Sequence, residues 1–403
     1  MKRAFILLLL LCALPAFAFA DRGTPEMIET YTARTAVIRC AGDFVIHDNL
    51  LDAALKAGGS EHDFSSMLAE VGAYLGEADF TFTNIDGTVG TEDFVKEHGY
   101  MGYPSFSTPS RLLYNLKDAG VDMMTLANNH SVDYFWEGLT STVTSVDQAG
   151  LLHVGAYRTQ QEKLTPLIVN VNGINIGFLN YTDSLNKMET HPSQNKKALE
   201  YGIDFLDNTD VRADIKRLKD AGAELIVCYI HWGVEYRDTP GNSQLTNAQR
   251  LADAGVDVII GGGPHKVQTA RYVTTRDENG RTKQVLCLYS LGNFLSDQRG
   301  EGKDCGIIFD FTVTRDEEGH VSVSDPCYRT TWVWRRQSGR GYEYEILFSD
   351  VPREKPDGMT QADYERLRES ALDTKARMDE GCARLKATDE TVISVPGRNA
   401  DDE

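Results

Sequence analysis

The chain has 403 residues, 41% hydrophobic, 9% aromatic and 25% charged, a composition that excludes a disordered tail, a collagen-like repeat and a disulfide-dense small scaffold. Lys and Arg number 41 against 60 Asp and Glu, for a net charge of -19 with no basic run to offset it. Counterion release needs a basic face, so the balance argues against a nucleic-acid partner.

In chain order, Lys2 and Arg3 precede an apolar run from Ala4 to Leu14, then Pro15 and the small-residue pattern Ala18-Phe19-Ala20. This predicts a secretory signal peptide over residues 1–20, because the run falls short of the ~20 residues a bilayer span needs. The expectation is an exported protein, extracellular or cell-envelope associated, with acidity serving solubility. Cleavage would leave Cys40, Cys228, Cys287, Cys305, Cys327 and Cys382, with no C-x-x-C and no zinc framework. The first three lie in apolar runs as small buried hydrophobes, while Cys305 and Cys327, the nearest pair in sequence, are the disulfide candidates.

Short apolar runs at Val37 to Ala41, Phe80 to Asn84, Met123 to Ala127, Leu225 to His231, Val256 to Ile260 and Val285 to Tyr289 predict strands. Helical patterns fall between them at Phe64 to Leu75, Ser110 to Ala119, Trp136 to Ala149, Val211 to Ala221 and Gln244 to Ala254. Several end in Ala-Gly, a left-handed stop. Strands alternating with crossover helices imply a mostly parallel α/β core. Asn172-Gly173 marks a hairpin within Pro166 to Tyr181, and Glu317-Glu318-Gly319 marks a second between Gly306 and Trp334. Trp332 and Trp334 share one strand face and read as core. A charged amphipathic helix follows from Gln361 to Leu385, then a polar tail.

Functional side chains of an α/β sheet gather just after the carboxyl ends of its strands. Here the first run ends Gly42-Asp43, with His47 following; the second ends Asn84-Ile85-Asp86; the third ends Asn128-Asn129-His130, with Asp133 behind. The run from Leu225 ends at His231, with Glu235 next, and the run from Val256 leads to His265. Any one of these residues has a plain structural explanation, but five loops supplying oxygen or imidazole together suit Zn, Mn or Fe. An aspartate bridging two such ions would make a hydrolytic centre.

Gly42-Asp43, Asn84-Ile85-Asp86, Leu126 to His130 with Asp133, His231-Trp232-Gly233-Val234-Glu235-Tyr236, Gly261 to Gln268 and Tyr289 to Phe294 resemble, in order from about residue 36 to 296, the motifs of the CapA, or poly-γ-glutamate capsule synthesis, family. That family is similar to the calcineurin-like metallophosphoesterases. The resemblance implies a four-layer αββα sandwich over residues 36–300, with strands at 301–352 completing it and a helix and tail at 353–403. It also implies two divalent metals (Mn, Zn or Fe) held by Asp43, Asp86, Asn129, His231 and His265. His130 would be a further ligand or the general acid, oriented by Asp133, and His47, Asn84, Asn128, Glu235 and Asn293 would meet substrate. Asn180 to Asn186 would form a lid.

Two positions depart from the family pattern: Asp86 replaces a glutamate, and Gly263 replaces a histidine two positions before His265. The implied function is an exported capsule-synthesis protein with a hydrolase centre acting on phosphoester or amide bonds of an anionic envelope polymer. The alternatives are a non-catalytic polymer-binding partner of a membrane-bound synthase and a fold that has lost its metals.

Overall fold

The computed structural model describes residues 31–385, so the expected signal peptide and the polar tail lie outside the described residues. In chain order the strands are β1 (Arg34–Val45), β2 (Phe80–Ile85), β3 (Thr88–Gly90), β4 (Ser107–Pro109), β5 (Met123–Thr125), β6 (Leu152–Val154), β7 (Leu167–Val171) and β8 (Ile174–Thr182). They continue as β9 (Leu225–His231), β10 (Val258–Gly262), β11 (Val267–Arg276), β12 (Thr282–Leu291), β13 (Asn293–Ser296), β14 (Cys305–Arg315), β15 (Val321–Ser338) and β16 (Gly341–Phe348). The helices are α1 (Asp48–Gly58), α2 (Gly72–Leu75), α3 (Glu92–His98), α4 (Arg111–Asp118), α5 (Phe135–Ala149), α6 (Gln160–Leu164), α7 (Lys196–Gly202), α8 (Val211–Asp220), α9 (Asn242–Ala254) and α10 (Gln361–Leu385).

One large sheet has the order β16-β15-β14-β1-β2-β5-β6, with β13 beside β1, a second has the order β11-β12-β10-β9-β8-β7, and β3 and β4 pair separately. Side-chain alternation turns each central strand into a two-sided wall. On β9, Val227 and Tyr229 point between the sheets, joining Ile38, Phe82, Phe178, Ile260 and Phe309. Ile226, Cys228 and Ile230 point outward, where α8 and α9 bury Ile215, Leu218 and Leu251 against them. On the first sheet, Leu50, Leu112, Leu116, Leu139 and Val143 of α1, α4 and α5 cover Phe44, Ile85 and Met124. The result is the four-layer αββα sandwich that the resemblance implied. Its central strands read as continuous apolar runs because both faces are covered.

The expected strands are present, with the run from Val256 displaced to β10 because Asp257 turns to accept a hydrogen bond from the Ile226 N–H (2.7 Å). The Asn172-Gly173 hairpin joins β7 to β8, and both residues take the left-handed φ (51° and 88°) that such a turn requires. The expected helix from Phe64 to Leu75 is instead a 3-10 turn at Ser65–Leu68 followed by α2. The break falls at Glu70, whose carboxylate takes the Phe348 N–H and the Arg353 guanidinium. Cys305 stands opposite Trp332 and Cys327 opposite Asp310, so the nearest cysteine pair does not face across the hairpin and no disulfide joins it. Trp332 and Trp334 are core, packed with Leu347, Met359 and Leu367.

Candidate metal centre

The strands β1, β2 and β5 of one sheet, and β8, β9, β10 and β12 of the other, run parallel within their sheets. Their carboxyl ends therefore deliver loops to one place. Asp43 lies near the end of β1, Asp86 follows β2, His231 closes β9, and ligand atoms of these three buried residues lie within 4.8 Å of one another. His265, after β10, reaches the same place, with Nε2 3.9 Å from Asp86 and Nδ1 3.8 Å from Asp43.

The donors and acceptors separate these residues into two kinds. Asp43 Oδ1 accepts from the Tyr229 hydroxyl (2.7 Å) and the Asn84 amide (2.9 Å), and Oδ2 accepts from the Gly263 N–H (3.1 Å). Asp86 is 1% exposed, yet neither of its oxygens has a hydrogen-bond partner. The buried Asn129 Oδ1 and His231 Nδ1 likewise have none. Buried polar atoms are nearly always satisfied, so an orphaned carboxylate, amide oxygen and imidazole nitrogen on loops that leave the same ends of the two sheets fit a divalent cation. An ionised carboxylate has about four lone-pair directions. Three are taken on Asp43 and none on Asp86, so Asp86 is the carboxylate whose lone pairs would all be open to a cation.

His130 lies beside this cluster. Its Nδ1 is 2.9 Å from Asp133 Oδ2, and the same Asp133 oxygen accepts from the Phe106 N–H, also at 2.9 Å. Burial works against the charged imidazole, but the hydrogen bond to Asp133 and the charge of Asp86 outweigh it, and the His130 pKa is raised. His265 is held from its other side, Nδ1 to Asn293 Oδ1 at 3.0 Å.

A family model of the bacterial capsule synthesis protein PGA_cap matches residues 37–298. The chain belongs to the PGA_cap family. The capsule biosynthesis protein CapA of Bacillus anthracis is 30% identical over 232 residues, 58% of this chain and 54% of its own. The PGA biosynthesis protein CapA of Bacillus subtilis is 31% identical over 186 residues, 45% of this chain and 44% of its own. The chain thus spans about half the length of these curated relatives. Among solved structures, the NAD nucleotidase NadN of Haemophilus influenzae is similar over 89% of this chain and 60% of its own, at 15% identity and a TM-score of 0.45.

Within this PGA_cap chain, three of the residues expected to meet substrate are supports. Asn84 donates to Asp43 and accepts from Thr125. Asn128 donates to the Ile85 carbonyl and accepts from the His130 N–H. Asn293 holds His265, and all three asparagines are fully buried. His47 and Glu235 lie at the edge: the His47 Nδ1 is 3.0 Å from the Val45 carbonyl oxygen, and Glu235 is exposed. The expected lid is partly framework, since Asn180 belongs to β8 and its Oδ1 accepts from the Ala127 N–H (2.6 Å); Asp183, whose N–H donates to the His231 carbonyl (3.0 Å), and Asn186, 3.4 Å from Asn129, flank the site. Tyr229 is the residue the motifs passed over. It sits two before His231 on one strand, hence on the same face, which was its available signal.

Gly263 adopts φ 103°, and a Cβ there would lie 2.7 Å from the Trp232 carbonyl oxygen. In this backbone its N–H, pointed at Asp43, is what the position contributes in place of an imidazole.

Proposed function

We propose that this protein is exported and serves capsule synthesis as a divalent-metal hydrolase acting on a phosphoester or amide bond of an anionic envelope polymer. The observation that carries the reading is the set of buried, unpartnered ligand atoms on Asp86, Asn129 and His231 beside Asp43 and His265. Those five residues would hold two ions such as Mn, Zn or Fe, which when bound supply Lewis-acid polarisation and activation of water. Tyr229, Asn84 and the Gly263 N–H fix the Asp43 carboxylate in advance, so little reorganisation accompanies loading. His130 keeps a proton for the leaving group, and Asp133 holds the ring in register. Export rests on the leader-like residues 1–20.

A second reading is a non-catalytic role, holding the polymer beside a membrane-bound synthase. It is favoured by Gly263, which offers an N–H where the family often has a metal-binding imidazole. The experiment is elemental analysis of the purified chain and of His231→Ala and His265→Ala, with turnover of a generic phosphodiester and of poly-γ-glutamate before and after chelation. The hydrolase reading expects around two metals, their loss in both variants, and chelator-sensitive cleavage. Metal without turnover on either substrate selects the second reading, and wild-type protein without metal overturns the centre itself.

A further inference from the structure

The imidazole of His265 is useful to a metal only in one tautomer, and its surroundings dictate which. Asn293 donates through Nδ2 to the Lys303 carbonyl (2.8 Å) and to Gln298 Oε1 (3.1 Å). The Lys303 carbonyl can only accept, whereas the Gln298 amide adapts to either orientation, so that carbonyl keeps Nδ2 on its side and Oδ1 is the atom that faces His265 Nδ1 at 3.0 Å. Nδ1 must then carry the hydrogen, and Nε2, 3.9 Å from Asp86, keeps its lone pair. Turning the amide over would present an NH2 to Nδ1 and place the hydrogen on Nε2, removing the donor from the centre.

What prevents that turn is the position of one carbonyl, and α10 grips the loop on both sides of it. On the C-terminal side, Arg366 Nη2 donates to Asp304 Oδ1 (2.8 Å) and Nε to Oδ2 (3.3 Å), while the Trp332 Nε1–H donates to the same Oδ2 (2.9 Å). On the N-terminal side, Arg377 donates to the Glu301 carbonyl (3.2 Å) and to Asp238 (2.9 Å). Gly302, at φ 81°, leaves the room this needs, since a Cβ there would fall 2.0 Å from the Arg377 guanidinium. Lys303, Asp304 and α10 all lie beyond the segment that the PGA_cap model matches.

We infer that Arg366 is a positioning residue for the metal centre: by holding Asp304 it fixes the Lys303 carbonyl, and through Asn293 it sets the tautomer of His265. The inference rests on the metal-centre reading above. Its test uses Arg366→Ala, Arg366→Lys, Asn293→Ala and, as a control, Arg353→Ala. Arg353 anchors the same segment through Glu70 and through its carbonyl to Tyr364, away from the centre. Two readouts apply: the histidine tautomer in metal-free, 15N-labelled protein by NMR, and Mn or Zn affinity by calorimetry.

Outer partners of a metal-binding histidine are worth roughly 10–100-fold in affinity. Arg366→Ala should therefore weaken binding about tenfold and give His265 a mixed tautomer. Lysine restores part of this, since it keeps the charge but not the fork. Arg366→Ala combined with Asn293→Ala should do no more than Asn293→Ala alone, and Arg353→Ala should change neither readout. Wild-type tautomer and affinity in Arg366→Ala, while His265→Ala still loses metal, overturns the inference and leaves the centre standing; so does an equal loss in Arg353→Ala. Unchanged metal binding in His265→Ala overturns the centre, and the inference with it.

Discussion

Asp86 and Asp43 are both buried carboxylates at strand ends, and their environments are opposite. Asp43 has a hydroxyl, an amide and a backbone N–H; Asp86 has no donor. A buried charge without a partner is a liability to the metal-free chain. Asp86→Asn is therefore expected to stabilise the metal-free protein by roughly 1–3 kcal/mol while weakening metal binding at least tenfold. Chemical denaturation under chelator and calorimetric titration read the two effects, and a destabilised metal-free Asp86→Asn would contradict the assignment of Asp86 as a ligand. Much of this cluster was legible in the sequence, because Asp43, His231 and His265 each stand where an apolar run stops. Which atoms were already occupied was not: Asn84, Asn128 and Asn293 look as available as Asn129 in one dimension, and only the crossing of two sheets turns three of them inward.

At the scale of single elements, the turn after β10 decides what Gly263 can become. Restoring the family's frequent histidine by Gly263→His would put a side chain on a φ of 103° and press its Cβ against the Trp232 carbonyl oxygen. Such strain costs of order 1–3 kcal/mol, so this variant is expected to melt lower and to gain no metal, whereas tighter metal binding at unchanged stability would show that the turn accommodates it. Strand β6 carries a different liability in His153, whose pKa is lowered by burial despite the neighbouring Asp147. The folded chain therefore holds it neutral, and the unfolded chain takes up the proton near the ordinary value of 6.5. Its contribution to stability is complete above that value and declines as pH falls below it. The melting temperature of the wild type should drop more between pH 7 and pH 5 than that of His153→Gln; parallel curves would remove His153 as the cause. Boundaries were least legible where tertiary contacts override pattern: Phe64, Met67, Leu68, Val71 and Leu75 keep helical spacing, but Glu70 is drawn to Phe348 and Arg353, far along the chain.

Across the whole molecule, the sandwich delivers its loops to the site from two sheets, and β15 holds the segment between β13 and β14 that carries Lys303 from one side, through the Val333 N–H and the Trp332 indole on Asp304, leaving the other side to be secured. That is done by α10, which seats Leu367 with Trp332, Trp334, Leu347 and Met359 on the face of β15 and β16 opposite the one that carries Val333 and Ile346. The sequence announced this helix and left its seat open, because a charged amphipathic pattern with a narrow apolar stripe serves a neighbouring chain as well as its own sheet. Its docking couples stability to chemistry, since the apolar contact and the Arg366 fork come on one rigid element. Leu367→Ala, which leaves every charge in place, should cost about 2–5 kcal/mol, shift tryptophan emission to longer wavelength as Trp332 and Trp334 meet water, and weaken metal binding together with Arg366→Ala. If instead the melting temperature falls while metal affinity holds, the helix stabilises the sheet without governing the centre, and the grip on the Lys303 loop must come from β15, through the Val333 N–H and the Trp332 indole on Asp304.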